Sequence, residues 1–157
     1  MKPNIGIKEE HRAKVAESLS KILADEAVLY QKTRNAHWNI EGPDFHSMHL
    51  FFESQYEQLA EIVDSIAERI RSIGHYAPGT MKEFLELTHL TEKISGKNDS
   101  QNYIKTLLAD HESILTHMRE NIDNYMTALH DAGTSDYVTG LMETHEKIAW
   151  MLRAHLV

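Results

Sequence analysis

Cysteine is absent from the 157 residues. That excludes disulfides and thiolate metal sites, so any metal chemistry must rest on imidazole and carboxylate. Long apolar runs are missing too. No stretch approaches the ~18 apolar residues of a transmembrane helix. The start, MKPNIGIKEE, lacks the apolar segment of a secretory signal. A cytoplasmic location with no membrane partner is therefore expected. Prolines number three, Pro3, Pro43 and Pro78, and none falls inside a long periodic segment. Basic residues are outnumbered, 16 Lys and Arg against 24 Asp and Glu, for a net charge of −8. Proteins bind phosphate backbones by displacing counterions with Lys and Arg, so this balance argues against direct DNA binding. It favours attraction of cations instead. Alternating β-branched runs bounded by hairpin turns are also absent, so no strand is expected.

What the sequence does hold is helical periodicity. Apolar residues make up 41% of the chain, enough for one domain spanning 1–157 with a single core. Four long amphipathic segments stand out. The first runs from about Lys8 to Trp38, with Val15, Leu19, Ile22 and Leu29 on one face. The second runs from about Asp44 to Ile73, carries Met48, Phe52, Leu59, Ile62, Ile66 and Ile70, and opens at Pro43 and Asp44. The third runs from about Asp99 to Leu129, and the fourth from about Thr134 to Leu156. A short extra helix is predicted at Met81 to Leu87, where Thr80 and Glu83 have the spacing of a capping box. The roughly 25 residues between the second and third segments could cross the length of the bundle. One such crossover is the connectivity of a ferritin-like bundle, whereas simple up-down bundles use short loops. The expected fold is all-α: a ferritin-like four-helix bundle with a long crossover, carrying a short helix, between helices 2 and 3.

Eleven histidines accompany the acidic surplus, and some fall into a pattern. His49 and Glu53 are four apart on the second helix, as are Asp64 and Glu68, so each pair shares a face. The step from Glu53 to Asp64 is about three turns, which puts both pairs on one stripe. His37 closes the first helix, across a short turn from His49. However, His49 and Glu68 are ~28 Å apart along a helix, and a metal bonds its ligands at ~2 Å. One chain cannot close such a site. Two copies of the helix packed antiparallel about a twofold axis near Gln58 and Leu59 would join the 49/53 end of one to the 64/68 end of the other. A twofold interface would form the site twice. The bland reading is that i,i+4 charged pairs decorate a solvated helix face.

The segment A36-H37-W38-N39-I40-E41-G42-P43-D44-F45 resembles the AHWN…G…F signature of the Dps family. M48-H49-L50-F51-F52-E53 follows, and D64-S65-I66-A67-E68-R69 is similar to the family's DxxAER motif. The short helix and the ending H145-E146-K147-I148-A149-W150 also match, so the resemblance covers nearly the whole chain. It implies a hollow dodecamer with a dinuclear iron ferroxidase centre at each twofold-shared site. His37, His49 and Glu53 would come from one subunit, and Asp64 and Glu68 from its mate. Some members carry Asp where Glu53 stands here. The resemblance further implies that Fe(II) is oxidised, preferably by hydrogen peroxide rather than oxygen, and stored as ferric mineral, which protects against oxidative damage. Acidic entry pores near the start of the last helix are also implied, with Asp131 and Asp136 as candidates. Trp38 is placed either to give up an electron near the centre or simply to pack at the helix end.

Other residues invite a role and have a plainer reading. His111 and His145 lie on apolar stripes and are expected to be buried and hydrogen-bonded. His46 is expected to be exposed. Glu86 and His89 form a single Glu-x-x-His on a short segment, and a diiron site inside a bundle needs that motif on two long helices. Basic tails that would condense DNA are missing: Lys2 and Lys8 stand before the first helix, and the end from Arg153 to Val157 holds one Arg. Two alternatives to a ferroxidase remain. One is a non-catalytic DNA-protecting shell, and the other is the same site loaded with zinc or manganese, because His/carboxylate sets are permissive.

Overall fold

A computed structural model describes residues 3–156, all in helices and connections. Four long helices and one short one follow in order: α1 Glu9–Asn39, α2 Phe45–Ser72, α3 Met81–Leu87, α4 Ser100–Thr127 and α5 Ala132–Ala154. Each begins or ends within about two residues of the boundary expected from periodicity. Two-residue shifts occur at the end of α4 and at both ends of α5, which starts at Ala132 rather than Thr134 because Asp131 caps it and its side chain accepts from Thr134 N. Asp99 caps α4 in the same way through Asn102 N. Thr80 and Glu83 form the full reciprocal capping box on α3. Asp44 occupies the cap position of α2, but its side chain makes no capping bond.

α1 packs chiefly on α2, and α4 on α5. Leu19, Leu29, Phe52, Leu59, Ile66, Ile70, Leu107, Val138 and Leu152 are fully buried between them. The α1–α2 turn is short, and Gly42, at φ +130°, takes a backbone conformation that a side chain would strain.

The crossover runs along α1 and is pinned to it at three levels. His75 Nε2 lies 3.6 Å from Glu9 at the start of α1. Thr88 and His89 bond Asp25 near its middle. Asn98 accepts from Glu41 N at 2.7 Å, just past its end. The connection therefore traverses the bundle, and α4 starts beside the α1–α2 turn. Among the described residues no helix is long and apolar enough to cross a membrane. Lys2 and Val157, at the chain ends considered for DNA contact, lie outside the described residues.

Candidate metal centre

The end of α1 and the first turns of α2 bring two histidine rings face to face. The ring centroids of His37 and His49 are 3.7 Å apart and 21° from parallel. Their hydrogen bonds are reciprocal. His37 Nδ1 donates to the carbonyl of His49 at 2.8 Å, and His49 Nδ1 donates to the carbonyl of His37 at 2.8 Å. A carbonyl can only accept, so each Nδ1 must carry the proton. In the neutral rings both Nε2 atoms then present lone pairs, which is the tautomer a metal-binding imidazole needs. Two ordinary backbone carbonyls fix both rings in this way, because the turn returns α2 antiparallel beside α1.

Glu53 follows one turn after His49 and is partly exposed. The Tyr56 hydroxyl lies 3.4 Å from Glu53 Oε1, and its ring meets His37 edge-on with centroids 5.2 Å apart. Burial raises the Tyr56 phenol above its usual range, with the negative charges of Glu53 and Glu57 acting the same way. Tyr56 therefore stays protonated and acts as a donor toward the carboxylate. Sequence reading missed this residue, although it lies three residues after Glu53 and so on a neighbouring face of the helix. The Arg34 guanidinium stacks over Trp38 at 4.8 Å and over Tyr56 at 5.5 Å. Trp38 is 54% exposed, so within one chain it packs on one side only.

Asp64 and Glu68 lie farther along α2 and are exposed, on the side away from buried Ile62, Ile66 and Ile70. They stand apart from His37, His49 and Glu53. Among the described residues no three His, Asp or Glu side chains converge to hold a metal ion. One chain thus presents a stacked His37–His49 pair with Glu53 one turn further along α2, and a separate carboxylate pair. Between them, mid-α2, lies an open depression of about 620 Å³ lined by Tyr30, Tyr56, Gln58 and Glu61.

The remaining candidates divide cleanly. Asp131 is 2% exposed, and its carboxylate caps α5, accepts the Thr134 hydroxyl at 2.6 Å and takes Arg69 at 3.2 Å. Asp136 is exposed on the second turn of α5. His111 and His145 are wholly buried and share a hydrogen bond between their Nδ1 atoms at 2.8 Å. His145 Nε2 sits 2.8 Å from Glu26, which is also wholly buried. His46 is exposed. His89 bonds Asp25 rather than Glu86, its neighbour in the Glu-x-x-His.

The fold and these motifs have counterparts among known proteins. Residues 16–157 match the model of the ferritin-like domain. An uncharacterised low temperature-induced protein of Nostoc sp. is 41% identical over 153 residues, 98% of this chain and 86% of its own length. DNA protection during starvation protein 2 of Bacillus anthracis is 37% identical over 142 residues, covering 90% of this chain and 96% of its own. The crystal structure of a Dps protein from Vibrio cholerae O1, described as a member of a broad superfamily of ferritin-like diiron-carboxylate proteins, superposes with a TM-score of 0.91 at 28% identity, over 100% of this chain and 98% of that one. A Dps protein from Bacillus brevis gives 0.89 at 30% identity, over 96% and 100%. With its bundle and its crossover, and by these matches, the chain belongs to the Dps family of ferritin-like proteins.

Proposed function

We propose that this protein is a ferroxidase mini-ferritin. Twelve copies would form a shell in which two Fe(II) ions bind as substrate between His37, His49 and Glu53 of one chain and Asp64 and Glu68 of its twofold mate. The observation that carries this reading is the reciprocal His37–His49 bonding. It holds two imidazoles in the metal-binding tautomer, one buried and one half-buried, one turn before Glu53 on α2, with no third His, Asp or Glu converging on them among the described residues. Exposed Asp64 and Glu68 would supply the missing carboxylates. The depression at mid-α2 lies where a second α2 would pack about an axis near Gln58 and Leu59. Exposed Phe45, Leu50, Met81 and Leu85 offer apolar area for subunit contact.

Hard carboxylates with neutral imidazole suit iron, and a few ligands spread over two ions leave positions open for the oxidant. Hydrogen peroxide accepts two electrons, one from each Fe(II), so paired ions reduce it without releasing hydroxyl radical. The ferric product would then mineralise inside the shell. The name of the Bacillus anthracis relative speaks of DNA protection. With a net charge of −8, protection here is attributed to consuming iron and peroxide rather than to coating DNA. Zinc or manganese would occupy the same ligands and act as competitors.

The test is to add Fe(II) anaerobically, pulse with hydrogen peroxide, and follow iron and protein together through size exclusion for the wild type and Asp64→Ala. Twelve chains of 18.1 kDa elute at roughly 217 kDa. Fast oxidation, with iron co-eluting there and initial oxidation slowed in the variant, supports the reading. A shell in which both proteins oxidise iron equally slowly overturns it and moves a non-catalytic shell or another metal ahead.

A further inference from the structure

A second pair of histidines meets at mid-bundle, His89 on the crossover and His117 on α4, where the iron-oxidation reading assigns nothing. Asp25 of α1 is 4% exposed. Its Oδ1 accepts from the Thr88 hydroxyl at 2.6 Å and from His89 N at 2.9 Å, and its Oδ2 lies 2.8 Å from His89 Nδ1. Across the ring, His89 Nε2 is 2.8 Å from Ser113 Oγ on α4. His117, four residues after Ser113 and so on the same face of α4, sets its ring 4.1 Å from that of His89 at a tilt of 42°. Both rings line a cavity of about 550 Å³ between α1 and α4, with Lys14, Glu17 and Asn121.

An ionised carboxylate only accepts, so Asp25 keeps the proton on His89 Nδ1 and leaves Nε2 as a lone pair. A metal-binding histidine almost always donates its other nitrogen's proton to a carboxylate, a backbone carbonyl or water, and Asp25 is the first of these. Ser113 donates to that lone pair here, and its hydroxyl is free to rotate away. As a clamp holding the crossover to α1, the cluster explains Thr88, His89 and Asp25. It does not explain His117, which is exposed and whose one aromatic ring contact among the described residues is with His89.

We propose that His89 and His117 form a second metal site at the mouth of this cavity. It would take one divalent cation of the imidazole-preferring class, zinc or copper, with Asp25 orienting His89. No third His, Asp or Glu donor converges among the described residues, so water from the cavity completes the coordination. The site is independent of the iron centre: Asp25 lies twelve residues before His37, ~18 Å along α1.

Zinc binding to the assembled protein would be measured by equilibrium dialysis with metal analysis, in a His49→Ala background that disables the proposed iron centre. Crystals of the wild type soaked in zinc would be measured at the zinc absorption edge. His117→Ala should remove one zinc per chain while leaving assembly, melting temperature and, in the otherwise wild-type chain, iron oxidation unchanged. Asp25→Asn should weaken the same zinc about 10- to 100-fold. An anomalous peak should lie about 2 Å from a ring nitrogen of each histidine. Equal zinc stoichiometry and affinity with and without His117, or no peak at bonding distance from a nitrogen of each ring, overturns the proposal.

Discussion

The buried histidine pair shows what a single side chain does to the acid tolerance of this protein. His111 is wholly buried, and burial, reinforced by His145, depresses its pKa well below the ordinary 6.5. It is therefore neutral in the folded state, sharing one hydrogen bond with His145. Below about pH 6.5 the unfolded chain binds a proton here that the folded chain refuses, so stability falls as the pH drops from that point. His111→Gln keeps a polar group opposite His145 but cannot titrate. Denaturant unfolding from pH 7.5 to 4.5 should show a shallower loss of stability for this variant than for the wild type. Equal slopes would mean that His111 does not sense the acid.

Helix pairing carries a second buried charge system. Lys32 of α1 and Asp110 of α4 meet at 2.5 Å, with side chains 2% and 11% exposed. Burial pushes the Asp110 carboxyl above the usual range even though Lys32 pulls it down. Desolvation thus outweighs attraction, and the pair is better read as fixing how α1 and α4 meet than as a source of stability. Removing one partner strands a charge, so Asp110→Ala should cost about 3–5 kcal/mol in chemical denaturation. The double replacement Lys32→Met with Asp110→Leu should recover most of that loss. A double variant no more stable than the single one would show that the pair itself holds the helices together. At the opposite end, Arg69 of α2 reaches Asp131 and Thr134 at the start of α5. The Arg of the D64-S65-I66-A67-E68-R69 motif therefore anchors α5, while its two acids face outward.

At the scale of the whole molecule, the proposed twofold-shared site makes a prediction that no site within one chain can make. His49→Ala and Asp64→Ala should each be inactive alone. In a mixed pair, one site loses both residues and the other keeps all five ligands. Shells refolded from equal amounts of the two variants should therefore recover about a quarter of the wild-type oxidation rate, given random pairing. If the mixed shells stay as slow as the parents, the ligands do not cross the interface.

The sequence by itself determined the helices and the spacing of the candidate ligands along them. Apolar periodicity and the capping pair Thr80–Glu83 are local, so α1 to α5 were legible to within about two residues, and the spacing of His49, Glu53, Asp64 and Glu68 already forbade a site closed within one chain. Tertiary structure decided everything that depends on which helix faces which. The exchange of hydrogen bonds between His37 and His49 follows from the angle of the α1–α2 turn. Glu26 and Lys32 stand on the apolar side of α1, which is a visible anomaly, yet their partners His145 and Asp110 are far away in the chain. Asp25 and His89 are likewise sixty-four residues apart, and only the path of the crossover along α1 brings them together. Local pattern fixes a helix because its hydrogen bonds close within four residues. A buried polar pair instead depends on the packing of distant segments, and no short-range spacing encodes that.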